Sequence, residues 1–172
     1  MAGVARSLKE ASRLTNGTQS LILRASEDLI CKNMMCAKLG EACVCKLAIT
    51  ISRLPGLQRL DLADNDLGVL PESIFELRGL ESLDISGNRL KTLSPGIGSL
   101  TSLRTLRVSN NLLTSLPPEV GSLDKLKELH VDGNSGLGKE DLQQLIRRRP
   151  GLTVVGAPGE TQGLASVEQD AA

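Results

Sequence analysis

The run Leu57-Gln58-Arg59-Leu60-Asp61-Leu62-Ala63-Asp64-Asn65-Asp66-Leu67 decides the fold, because its frame returns three times. Leu57, Leu60, Leu62, Asn65 and Leu67 are followed by Leu80, Leu83, Ile85, Asn88 and Leu90, then by Leu103, Leu106, Val108, Asn111 and Leu113. Leu126, Leu129, Val131 and Asn134 open a fourth copy. The starts at 57, 80, 103 and 126 give a period of 23 residues. Self-similarity at that spacing is the mark of a stacked repeat array. Alternation around Leu60 and Leu62 is the period of a strand with one buried face. The spacing then lengthens to threes at Leu70-Pro71-x-x-Ile74-x-x-Leu77, which predicts a helical or 3₁₀ return segment. One unit cannot bury its own leucines; stacked units can, each fully buried Leu or Ile contributing about 1.5–3 kcal/mol.

The asparagines need a separate reason. Every turn of a solenoid leaves backbone groups inside, and an Asn side chain brings both donors and an acceptor to meet them. Asn65, Asn88, Asn111 and Asn134 are therefore expected to stack as a structural ladder.

The second halves, Leu70-Pro71-x-x-Ile74-x-x-Leu77, Leu93-x-x-x-Ile97-x-x-Leu100 and Leu116-Pro117-x-x-Val120-x-x-Leu123, complete the resemblance to the leucine-rich repeat. Their L-P-x-x-I-x-x-L form is similar to the intracellular Ras-group subclass. The resemblance implies an α/β leucine-rich-repeat solenoid with parallel strands on the concave face and helical caps at both ends. It also implies a non-enzymatic module that docks a protein partner on that face, as a scaffold or regulator in intracellular signalling.

Working outward, Leu21 and Leu23 fit the strand of an earlier unit, with Ser26 where Asn would stand. Ile51, Leu54 and Leu57 fit its return segment. That unit carries an insertion at about residues 30–46 containing Cys31, Cys36, Cys43 and Cys45. These are the only metal candidates, and their spacing departs from the C-x₂₋₄-C pairs of structural zinc sites, so idle or buried thiols are expected and no cofactor. Residues 1–16 are expected to form an N-terminal cap helix with Val4, Leu8, Ala11 and Leu14 on one face. Their basic composition leaves a mitochondrial targeting segment as the alternative. The repeat domain is placed at 17–155, with a cap helix at about 138–149 ending in Arg147-Arg148-Arg149 and Pro150. Residues 156–172 lack a buried pattern and are expected to be disordered.

Composition narrows function. Of 172 residues, 20 are basic and 20 acidic, so no long-range field steers the chain to nucleic acid or an anionic membrane. Phe75 is the only aromatic residue, which excludes base-stacking platforms and aromatic cages. No run approaches the roughly 20 apolar residues of a membrane span. No secretory signal is expected, and four cysteines would then suit a reducing compartment; a cytoplasmic monomer is expected, with mitochondria the alternative site.

The candidate partner-binding residues are those projecting from the strands. A central column reads Ile22, Asp61, Asp84, Arg107, His130; the one before it Ser20, Arg59, Ser82, Thr105, Glu128; the one after it Arg24, Ala63, Ser86, Ser109, Asp132. Arg59, Asp61, Asp84, Arg104, Arg107, Glu128, His130 and Asp132 are the chosen set, with Asp84 and Arg107 expected to pair across neighbouring strands. His130, the only histidine, has acids two residues to either side but no nucleophile motif, so no catalytic residue is assigned. The alternative reading is a structural subunit of a large assembly, mitochondrial or ciliary.

Overall fold

The computed structural model describes residues 3–13, 17–29 and 44–156. Among them, seven short strands form one parallel sheet in strict chain order: β1 (Gly3–Ala5), β2 (Thr18–Ile22), β3 (Arg59–Asp61), β4 (Ser82–Asp84), β5 (Thr105–Arg107), β6 (Glu128–His130) and β7 (Thr153–Val155). Consecutive order without crossovers is what a solenoid requires, since each unit touches only its neighbours. From β2 to β6 the register puts equivalent residues side by side: Leu21, Leu60, Leu83, Leu106 and Leu129 form one line, each at most 2 % exposed.

The return segments are 3₁₀ turns at Glu72–Glu76, Pro95–Ser99 and Pro118–Ser122. Pro95 and Pro118 sit at the starts of their turns, where a missing N–H costs nothing and φ is already set. Each turn presses one β-branched residue, Ile74, Ile97 or Val120, into the core. Two sites depart from the 3₁₀ rule. The first full unit returns through a true helix, α2 (Val44–Ile51), and the last through α3 (Lys139–Arg148). In α2, Leu47 and Ile51 are fully buried, in the places that Leu70 and Ile74 hold one unit later.

The N-terminus differs from the helix expected over residues 1–16. Helix α1 spans Leu8–Arg13 and buries Leu8 and Ala11, but Gly3–Ala5 is a strand paired with β2. Val4 therefore faces solvent while Ala5 is buried. The physical reason is a close backbone approach: Gly3 N–H donates to the Gly17 carbonyl at 3.1 Å, and a Cβ on Gly3 would sit only 2.6 Å from that oxygen. Leu14 lies outside the described residues. So do Cys31, Cys36 and Cys43, most of the insertion, and the tail beyond Gly156; Cys45 stands exposed on α2.

The asparagines form the expected ladder. Asn88 Nδ2 donates to the Ile85 carbonyl at 2.9 Å and, one unit back, to the Leu62 carbonyl at 3.0 Å. Its Oδ1 accepts from Leu67 N–H at 3.0 Å. Asn111 and Asn134 repeat the same contacts, and Asn65 links to Leu23 and Ser26. Each amide thus stitches two units together from a position at most 9 % exposed.

Candidate docking face

The register that stacks the leucines inward also aligns the outward side chains into columns. Arg59 lies beside Ser82, Ser82 beside Thr105 and Thr105 beside Glu128; Asp61 lies beside Asp84, Asp84 beside Arg107 and Arg107 beside His130. Parallel strands about 4.8 Å apart hold these neighbours within side-chain reach of each other. The asparagine ladder and the buried leucines hold these strands in register from within.

The charges on it are not paired as expected. Asp84 does not take Arg107 as its partner; it takes Arg24, whose guanidinium lies 3.5 Å from Asp84 Oδ2. The same guanidinium reaches Asp61 Oδ2 at 3.5 Å and Asp64 Oδ2 at 3.3 Å. For Asp61 and Asp84 the other oxygen is occupied too, Asp61 Oδ1 accepting from Ala63 N–H and Asp84 Oδ1 from Ser86 N–H, both at 3.0 Å. Asp84 is accordingly only 8 % exposed, a buried acid with both oxygens engaged. Arg24 stands in the third column, diagonal to both acids. The long guanidinium arm crosses three strands, and that diagonal reach is the signal a strand-by-strand reading passes over.

Further along, His130 Nε2 lies 3.8 Å from Glu128 Oε2 on the same strand. Asp132 Oδ1 accepts from Ser109 Oγ at 2.7 Å. Arg104 sits off the central columns and faces Glu81 at 3.9 Å. Arg59 and Arg107 lie in the columns, Arg59 exposed and Arg107 half-buried, and neither forms an ion pair among the described residues. No group of three or more metal-ligating side chains occurs among the described residues, and no helix there is long and apolar enough to cross a membrane.

The C-terminal arginines have divided roles. Arg149 folds back over the last 3₁₀ turn and donates to the carbonyls of Leu123 at 2.7 Å and Asp124 at 2.9 Å, with longer bonds to Gly121 and Leu126. Arg147 and Arg148 stay exposed at the end of α3, where the helix dipole favours cations.

Residues 55–99 match the family model described as leucine rich repeat, and residues 101–146 the one described as leucine rich repeats in two copies. A leucine-rich-repeat protein of Leptospira interrogans is similar in structure with a TM-score of 0.58 and 34 % identity, over 62 % of this chain and 27 % of that one. Internalin C2 of Listeria monocytogenes has a TM-score of 0.59 at 22 % identity, over 83 % of this chain and 53 % of its own. A second internalin of that organism, inlF, has a TM-score of 0.59 at 20 % identity, over 87 % and 50 %. At those identities the likeness to the internalins concerns the fold. The chain spans between about a quarter and about a half of the length of these three structures. No curated protein matches the sequence. The two matched segments together span just over half of the chain, and it belongs to the leucine-rich-repeat family, whose members generally bind other proteins and are typically not enzymes.

Proposed function

We propose that the chain is a non-enzymatic docking module that holds a protein partner on its concave face, as a scaffold or regulator in intracellular signalling. One observation carries the reading: four consecutive strands, β3 to β6, present in-register columns of outward polar side chains, all but the buried Asp84 at least partly exposed. Extended concave surfaces of this kind are how solenoids engage partners. The signalling role rests on the L-P-x-x-I-x-x-L half-repeats, and cytoplasmic residence on the cysteine content of the sequence. His130 beside Glu128 is the one place to look for acid–base chemistry; saturable turnover abolished by His130→Ala would overturn the non-enzymatic reading.

The test is proximity labelling in the native cell, comparing the wild type with the Arg59→Glu, Arg107→Glu double variant. A short set of neighbours lost in the variant is the expected outcome. The same neighbours from both forms would refute concave docking and favour a subunit held in a larger assembly through its caps or convex side.

A further inference from the structure

The convex side of the array is filled unevenly. Its three 3₁₀ turns align residue for residue, so Phe75, Gly98 and Gly121 hold one position in successive units. Phe75 lays its ring against Gly96 and is only 5 % exposed, which fills the space between the first two turns. Glu119 lies over Gly98. At Gly121 no side chain fills the corresponding space, and a groove of about 200 Å³ opens between the turn Pro118–Ser122 and α3. Pro117, Pro118 and Leu145 give it an apolar lining. That volume suits one or two side chains and is too small for most whole ligands.

Asp141 and Arg148 line the same groove, seven residues apart on one face of α3 and thus about 10 Å along its axis. Neither side chain has an ion-pair or hydrogen-bond partner among the described residues. The helix dipole accounts for an acid in the first turn and a cation in the last. The fold adds an apolar groove between them. Neighbouring charges keep the two ends distinct. Near Arg148, Arg147 and Lys125 are exposed, while Arg149 pairs with Asp124 and reaches the carbonyls on either side of Lys125. Glu140 stands beside Asp141, with Lys139 before it.

We propose that this groove is a second docking site, taking an extended segment of a partner protein that bears a carboxylate, an apolar side chain and a cation in turn on one face. Alternate residues of an extended chain share a face, so the pattern is acid-x-apolar-x-base over about 13 Å. The apolar side chain enters beside Pro117, Pro118 and Leu145, the carboxylate meets Arg148 and the cation meets Asp141. A desolvated pocket filled by one anchor is where binding energy concentrates at interfaces. A segment with two acids sets one of them against Asp141, and a segment with two cations sets one against Arg148, so each is disfavoured at one end.

The experiment titrates the full ¹⁵N-labelled chain with capped pentapeptides at millimolar concentration. Glu-Ala-Leu-Ala-Lys and its reverse order are the bipolar probes; Glu-Ala-Leu-Ala-Glu and Lys-Ala-Leu-Ala-Lys are the unipolar ones. The better bipolar probe is expected to shift the amides of Gly121, Gln144 and Leu145 and to bind roughly threefold tighter than either unipolar one, as one exposed ion pair allows. Replacing its Leu by Ala is expected to weaken binding on the order of fivefold. Gly121 lies outside the left-handed region, and a Cβ there would meet only Leu145 Cδ1, at 3.5 Å. Gly121→Leu is therefore expected to keep the far-UV circular dichroism of the wild type while losing the shifts. Arg148→Glu is expected to turn the preference to the doubly basic probe, and Asp141→Lys to the doubly acidic one. Equal binding of all probes, binding retained in Gly121→Leu, or no shifts at the groove would overturn the proposal. Groove shifts that grow with chain concentration alone would put a second copy there and overturn it as well. None of these results bears on the concave face, which the Arg59→Glu, Arg107→Glu labelling tests separately.

Discussion

At the residue scale, two kinds of position repeat for different reasons. Asn88 gives its amide hydrogens to carbonyls in its own unit and the one before, and its oxygen to Leu67 N–H. Alanine there leaves these buried groups without partners, so Asn88→Ala is expected to cost roughly 1–3 kcal/mol in urea unfolding. Unchanged stability would mean that water replaces the amide without loss. The second kind precedes the Asn in each unit, or Ser26 in the first: Ala25, Asp64, Gly87, Asn110 and Gly133 all have positive φ, between 45° and 73°. The chain turns the corner from strand to ladder there. A Cβ at Gly87 would add left-handed strain and crowd the Asp64 carboxylate of the neighbouring corner. Gly87→Ala is therefore expected to lose about 1–2 kcal/mol. Asn110→Gly, at φ 54°, is expected to stay within about 1 kcal/mol of the wild type, because relieved strain offsets the freer unfolded chain.

At the element scale, the two ends of the array are closed by different devices. At the start, β1 and α1 extend the sheet and cover the first leucines, and Leu8 N–H donates to Asp28 Oδ2 at 2.8 Å. At the end, α3 lays Leu142 and Leu145 over the last unit and Arg149 ties the helix to the carbonyls of Leu123 and Asp124. Arg149→Ala removes charged hydrogen bonds to backbone oxygens, each contributing about 1.5–3 kcal/mol at most. The expected result is local: faster amide exchange in α3 and β7, with protection in β3 to β5 retained. Uniform loss of protection would show that the cap governs the whole array. The sequence had marked this arginine as the tail of a basic run, and in the fold it is a clamp.

At the scale of the whole molecule, stability is a sum over units and the contacts between neighbours. Leu106 sits in the middle of the sheet, fully buried, with Leu83 on one side and Leu129 on the other. Leu106→Ala is expected to cost about 2–5 kcal/mol and to shift the single unfolding transition of the array. A shift below that range would place the core elsewhere. With Phe75 the sole aromatic residue, tryptophan fluorescence cannot follow this, and far-UV circular dichroism or amide exchange must. The Arg24 network is a different matter at this scale. Its guanidinium is half exposed, so high salt is expected to change stability little, about 0–1 kcal/mol.

Period, register, inward leucines and the asparagine ladder were legible in the amino-acid order, because each follows from local spacing repeated every 23 residues. Leu60, Leu83, Leu106 and Leu129 had to share one face, and an Asn at a fixed offset had to meet the backbone they left inside. The columns of outward residues followed from the same spacing. Their pairings did not. Which acid meets which cation depends on side-chain reach across strands, and Arg24 contacts acids 37 to 60 positions away in sequence, on the two strands beyond its own. The N-terminal strand was hidden for a similar reason: three residues have too little pattern to declare a strand, and only pairing with β2 makes Gly3–Ala5 one. Local periodicity determined the scaffold; long-range packing decided which of its charges stay available to a partner.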